Sequence, residues 1–211
     1  MHFAQPEFTP EEVNRAGKYL ANAANVDPSL DQSGVDQDRV AAIINNWRAA
    51  HMYPAHLFFI SLRTKAKKVD STAFAVQRNK RLQSIRAKLI REPNMKLSQM
   101  QDIAGCRAVV KHIRHIEQLR EALQASWSKH EAIAFKSYIA HPKSDGYRCL
   151  HLKYRFCASG QKQAFNGLKV EVQIRTQRQH RWATAVEVVD TFTKQALKSS
   201  AGRPEWARFL R

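Results

Sequence analysis

Apolar positions recur every three to four residues through the first third of the chain and alternate with polar ones through much of the remainder, which predicts helices first and a sheet with flanking helices afterwards. Thr9, Pro10 and Glu12 make a helix start. Thr9 acts as cap, Pro10 takes the first helical position, where its missing N–H costs nothing, and Glu12 bonds back to the cap amide. A helix over about residues 10 to 24 follows. Residues 27–34, rich in Asp, Ser, Pro and Gly, read as a loop. Val40, Ile43, Ile44 and Trp47 then mark a second helix, and Leu57, Phe58, Ile60, Leu62 and Val69 a third after Pro54. The polar residues 71–83 read as loop or frayed helix, Ser84 as the cap of a short basic helix reaching Arg91, and Ser98 as the cap of one more turn.

Residues 103–110 begin the strands, being β-branched and apolar. A helix carrying Ile113, Ile116, Leu119 and Leu123 on one face comes next, then strands over about residues 132–139 and 147–156. In the latter, Leu150, Leu152, Tyr154 and Phe156 point one way and His151, Lys153 and Arg155 the other. Residues 169–175 alternate still more clearly, burying Val170, Val172 and Ile174 and displaying Glu171, Gln173 and Arg175 together. Thr176 and Gln179 form a capping box for a last helix with Trp182, Val186, Val189 and Leu197 on its apolar face, ended by Gly202 and Pro204. The expected fold is α/β or α+β: a mixed sheet of four to five strands flanked by helices. Residues 1–50 would be helices packed on the core, 51–200 the principal domain and 201–211 a tail.

A length of 211 residues with 44% hydrophobic content suits one domain with a sizeable core. Cys106, Cys149 and Cys157 are an odd number at spacings that fit neither a zinc knuckle nor a redox pair, which points to a reducing cytoplasm. Glu7, Glu11 and Glu12 stand where a secretory leader needs basic residues, and the least charged stretch, residues 49–62, is too short to span a bilayer, so a soluble protein with no membrane partner is expected. The net charge of +17 is uneven: −3 over residues 1–50, +9 over 51–100, +3 over 101–150 and +8 over 151–211. Such asymmetry concentrates polyanions, whether nucleotides, RNA or an acidic partner, without choosing among them.

Several residue groups carry candidate chemistry. The run Arg78, Lys80, Arg81, Arg86, Lys88 and Arg91 can hold phosphates or can be a solvated face; Lys80, Ser84 and Lys88 share a side if helical. Asp102, just before an apolar strand of small residues, is a metal ligand or a turn residue. Glu171 is flanked by Val170 and Val172, where desolvation raises a carboxylate pKa and suits it to act as a base, unless it pairs structurally with Arg175. Residues 142–147 form a turn that delivers Lys143 and Tyr147 to a strand edge, a platform for stacking a base or a core aromatic. Positive charge, a carboxylate for magnesium and a base near an attacking oxygen are the parts that pyrophosphoryl transfer to a hydroxyl needs.

In order, Arg78-x-Lys80-x-x-x-Ser84-Ile85, Asp102-Ile103-x-Gly105-x-Arg107, Tyr138-Ile139-x-x-Pro142-Lys143-x-x-Gly146-Tyr147-Arg148-x-x-His151 and Glu171-Val172-Gln173-Ile174-Arg175-Thr176 resemble the signature of the RelA/SpoT synthetase domain. The resemblance covers roughly residues 40 to 198. It implies an ATP-dependent pyrophosphokinase using Mg2+, with a nucleotide 3'-hydroxyl as acceptor. It also implies that Arg78, Lys80, Lys88 and Arg107 hold ATP and that Asp102 holds the metal. Tyr147 would take the acceptor base, Lys143, His151, Gln173 and Arg175 the acceptor's phosphates or ribose, and Glu171 would be the second acidic centre, as base or metal ligand.

One departure bears on the acceptor. The family's common His-x-x-Ala-Glu reads here His180-Arg181-Trp182-Ala183-Thr184, with Glu187 almost one turn further on. The last helix looks more like the toxic small alarmone synthetases, several of which modify the 3' CCA end of tRNA, which implies a translation-inhibiting toxin with an antitoxin partner. GDP or GTP as acceptor, giving the alarmones of the stringent response, is the alternative. Spare basic residues Lys65, Lys67, Lys68, Arg86, Arg91 and Lys96 tilt the expectation toward tRNA. The first 50 residues hold only His2, so no hydrolase-type His-Asp motif precedes the synthetase region and synthesis without degradation is expected. A non-catalytic RNA-binding module or an antitoxin-binding scaffold would explain the charge without Asp102 and Glu171.

Overall fold

The computed structural model describes residues 3–22 and 36–193. Among these, β1 (Phe74–Asn79), β2 (Ala104–Val110), β3 (Glu131–Ser137), β4 (Leu150–Arg155) and β5 (Lys169–Thr176) form one mixed sheet in the order β1-β2-β5-β4-β3. Only the central β2–β5 pair is parallel. The helices are α1 (Pro10–Asn22), α2 (Gln37–Ala50), α3 (Met52–Val69), α4 (Leu82–Arg91), α5 (Ile113–Ser126) and α6 (Gln177–Thr193).

Strand alternation gives the sheet two unlike faces. The register pairs Leu150 with Ile174, Leu152 with Val172 and Tyr154 with Val170, so one face is apolar and dry. Phe58 of α3 and Trp127 at the end of α5 pack against Tyr154 there, with ring centroids 5.5 and 5.2 Å from it. The residues between them, His151, Gln173 and Glu171 with Arg107 and Gly105 of β2, lie on the opposite face. Burial of the apolar face, on the order of 25 cal/mol per Å², is what sets the register, since a one-residue slip would exchange the two faces.

The capping boxes form as the spacing predicts. Thr9 N donates to Glu12 Oε2 at 3.0 Å and Glu12 N to Thr9 Oγ1 at 3.3 Å; Thr176 N donates to Gln179 Oε1 at 2.8 Å and Gln179 N to Thr176 Oγ1 at 3.3 Å. α2 gains a cap from Asp36, whose carboxylate accepts from Arg39 N at 3.1 Å. Val13 and Ala16 of α1 and Ile43 and Ile44 of α2 join the same hydrophobic cluster as the back of the sheet.

Three local expectations are corrected. Residues 74–79 are the edge strand β1, not loop or frayed helix; β2 supplies its hydrogen-bond partners, and its apolar residues Phe74 and Val76 stay exposed, so no inward alternation marked it. Ser84 does not cap α4, because the helix already starts at Leu82 after Arg81, without a side-chain cap, and Ser84 stands inside its first turn. Ser98 lies inside a short turn, Leu97–Gln99, whose cap position is Lys96. The predicted loop 27–34, the expected tail 201–211, and Leu197, Gly202 and Pro204 fall outside the described residues.

Candidate active site

The polar face of the sheet is the floor of a cleft of about 440 Å³, walled on one side by α4 (Ser84, Ala87, Lys88, Arg91) and on the other by α6 (Trp182, Ala183, Val186, Glu187). Every residue to which the resemblance gave a role lines it: Arg78, Lys80, Lys88, Asp102, Arg107, Lys143, Tyr147, His151, Glu171, Gln173 and Arg175. Of the basic run, Arg81 and Arg86 do not, and Arg86 Nε instead donates to Leu20 O at 3.1 Å. The sheet explains this convergence. Arg78 pairs with Gly105, Gly105 with Glu171, Arg107 with Gln173 and Gln173 with His151, so residues far apart in sequence stand in rows across four strands.

Asp102 stands at the entrance to β2. Lys80 Nζ lies 2.7 Å from its Oδ2 and Lys88 Nζ 2.9 Å from its Oδ1. Burial alone would raise the Asp102 pKa, but the two ammonium groups outweigh it and hold the carboxyl at about 2.

Glu171 forms the hub of a second network. Its Oε1 meets His151 Nδ1 at 3.1 Å and its Oε2 accepts from Gln173 Nε2 at 2.8 Å. Gln173 Oε1 in turn accepts from Arg107 Nε and Nη2 at 3.1 and 3.0 Å, and His151 Nε2 meets the Tyr147 hydroxyl at 2.9 Å. The chain Tyr147–His151–Glu171–Gln173–Arg107 thus crosses the floor. Burial raises the Glu171 pKa, but the His151 hydrogen bond and charge outweigh it, so the net shift is downward. This corrects the expectation of a raised pKa: the valines desolvate Glu171 as foreseen, while its partners are His151 and Gln173, not Arg175. For His151, burial opposes protonation, and the Cys149 side chain and the Glu171 carboxylate overcome it, lifting the pKa to about 9.

Tyr147 is delivered by the turn as expected: Gly146 has φ 87°, a left-handed conformation that glycine accepts without strain, and Tyr147 N donates to Asp145 Oδ1 at 2.9 Å. Lys143 Nζ sits 5.3 Å from the Tyr147 ring and 5.1 Å from that of Tyr138. Arg175 is buried, with Nη2 2.5 Å from His180 Nδ1 and with Nε unpartnered among the described residues. A buried, part-satisfied guanidinium beside a cleft is a ready donor to an anionic oxygen.

Sequence reasoning missed the α6 wall. Trp182 and Val186 were expected on an apolar core face, yet both line the cleft, and the Trp182 ring lies 6.3 Å from that of Tyr147. Thr184, which stands where the resembled signature has an acid, is exposed and its hydroxyl donates to His180 O at 3.0 Å. Glu187 lines the cleft, and its charge acts on Arg175. The spacing Trp182, Ala183, Val186, Glu187 was the available signal: one stripe of a helix carrying an acid among apolar residues. Lys65, Lys67 and Lys68 lie in the last turns of α3, the helix packed on the apolar face, and Lys67 Nζ donates to Ser71 O at 2.8 Å. They do not line the cleft.

A cation has partial accommodation here. Asp102 and Glu171 line the same cleft and Asp102 acts on Glu171 electrostatically. No group of three or more His, Cys, Asp or Glu residues able to hold a metal occurs among the described residues. Two carboxylates without a full cage fit Mg2+, which keeps several waters and takes phosphate oxygens for the rest. Among the described residues, no helix is long and apolar enough to cross a membrane.

The family model "Region found in RelA / SpoT proteins" matches residues 77–191. The chain is 34% identical over 116 residues to the GTP pyrophosphokinase YjbM of Bacillus subtilis (strain 168), covering 53% of this chain and 53% of that protein. It is 36% identical over 104 residues to a probable chloroplastic GTP diphosphokinase of Oryza sativa subsp. japonica, covering 49% of this chain and 13% of that one. The matched region is thus about half the length of the bacterial relative and a small part of the plant one. Among solved structures, small alarmone synthetase 1 from Bacillus subtilis superposes with a TM-score of 0.65 at 26% identity, over 79% of this chain and 85% of that one. The same synthetase bound to its product pppGpp gives 0.66 at 24% identity, over 83% and 88%.

Proposed function

The chain belongs to the RelA/SpoT family, and on that premise we propose that it is a pyrophosphokinase that moves the β,γ-pyrophosphate of ATP onto a 3'-hydroxyl. The observation that carries this reading is the meeting of Asp102 and Glu171 with Arg78, Lys80, Lys88, Arg107 and Tyr147 in one cleft. Arg78, Lys80, Lys88 and Arg107 would grip the triphosphate, and fixed positive charge at the transferring group stabilises the charge that develops there. Asp102 and Glu171 would hold Mg2+, which when bound neutralises phosphate charge. The acceptor's 3'-oxygen attacks the β-phosphorus, the bond from that phosphorus to the α,β-bridging oxygen breaks, and AMP leaves. Glu171, kept ionised by His151, is available to take the hydroxyl proton. Tyr147 would stack the acceptor base, with Lys143, His151 and Arg175 toward its phosphates or ribose.

For the acceptor we favour GDP or GTP. The support is that relatives similar to this chain are GTP pyrophosphokinases or diphosphokinases by description, and that the basic residues of the cleft surround a compact space. The 3' CCA end of tRNA is the second reading, favoured by the net charge of +17; it would make the protein a translation-inhibiting toxin with an antitoxin partner. Offering γ-labelled ATP with GDP, GTP and deacylated tRNA separately decides between them. Label in guanosine nucleotides alone supports the first reading, label on tRNA alone establishes the second, and label on neither removes both.

A further inference from the structure

We propose that the two carboxylates are closed to a free divalent cation and that the metal enters only with the nucleotide, through an exchange in which the triphosphate draws Lys80 and Lys88 off Asp102. This deepens the pyrophosphokinase reading and rests on it.

All four carboxylate oxygens are already engaged. Asp102 gives one to each lysine, at 2.7 and 2.9 Å, and Glu171 gives one to His151 at 3.1 Å and one to Gln173 at 2.8 Å. The Lys80, Lys88 and Asp102 side chains are only 13%, 18% and 15% exposed, so these are part-desolvated pairs and not the weak contacts of a wet surface. Two ammonium groups on one carboxylate leave a net positive charge, and Arg78 and Arg107 line the same cleft. A bare cation arriving there meets repulsion and no cage of three or more ligating side chains among the described residues.

A triphosphate changes the balance because it offers both sides a replacement. Its oxygens give Lys80 and Lys88 new acceptors, and the metal it carries gives Asp102 a new counter-charge, so no charge is stranded during the swap. Little backbone movement is needed. Lys80 stays anchored through its amide to Ile103 O at 2.7 Å while its side chain turns, and Lys88 projects from α4 into the cleft. By linkage, metal and nucleotide must then strengthen each other's binding by the same factor.

The test measures binding, not turnover. Mn2+ affinity is read by electron paramagnetic resonance without nucleotide, and binding of α,β-methylene ATP by calorimetry with and without Mn2+, with circular dichroism checking each variant. Nucleotide-free Lys88→Met, and independently Lys80→Met, is expected to bind Mn2+ on the order of tenfold more tightly than the wild-type chain. Adding Asp102→Asn to either variant is expected to erase the gain. A wild-type chain that binds Mn2+ without nucleotide as tightly as these variants overturns the exchange and leaves the pyrophosphokinase reading standing. A wild-type chain that binds no α,β-methylene ATP in the presence of Mn2+ overturns both.

Discussion

At the scale of single residues, the two acids of the cleft differ in their surroundings and so in what their loss should do. Asp102 is held by two lysines and Glu171 by a histidine and an amide. Asp102→Asn and Glu171→Gln each keep the volume and remove the charge, so each is expected to lower kcat by at least about a hundredfold with the circular dichroism spectrum unchanged; a wild-type rate in either variant would remove that residue from the chemistry. His151 offers a direct electrostatic check. Its pKa of about 9 lies above the ordinary 6.5, so the stability from its pairing is complete below about pH 6.5 and disappears as pH rises through about 9. Ring resonances followed by NMR should titrate near that value, and Glu171→Gln should move the midpoint down toward the ordinary one; an unmoved midpoint would deny the pairing. The identities of these residues were readable because motif and strand alternation agree. That Glu171 pairs with His151 and not Arg175 was not readable, because it depends on the β4–β5 register, which no local pattern encodes.

At the scale of elements, the site depends on how closely β2 and β5 approach. A Cβ on Gly105 would lie 2.4 Å from the Glu171 carbonyl oxygen, a backbone atom that cannot swing aside. Gly105→Ala should therefore part the two strands at Glu171, costing about 1–3 kcal/mol of stability, and should depress transfer further than the folded fraction explains; thermal melts read beside initial rates separate the two effects, and full activity would show that the strands yield freely. β4 and β5 were legible from alternation, β2 from its β-branched apolar run and both capping boxes from spacing, because each is a local signal. β1 was not: as an edge strand it draws its order from β2, while its own residues alternate without an inward apolar set. The cleft-facing stripe of α6 escaped for the opposite reason, since Trp182 and Val186 carry a core-like pattern but face a space meant for something else.

Across the whole molecule, the net charge of +17 favours polyanions in general, while the layering of the fold decides which basic residues face the cleft. The cations of the cleft lie on the polar face of the sheet, and Lys65, Lys67 and Lys68 ride on α3 behind it. Replacing those three lysines by Gln should leave transfer to GDP or GTP within about twofold, whereas an RNA acceptor that reaches around to them would show a salt slope lower by about one unit per lost phosphate contact. The central claim, that this cleft transfers two phosphates as a unit, is tested most directly with ATP labelled at the β-phosphorus, incubated with Mg2+ and each acceptor while nucleotide products are resolved. The label should leave with the acceptor and AMP should accumulate in equal amount; label retained in ADP while only the γ-phosphate moves would contradict it.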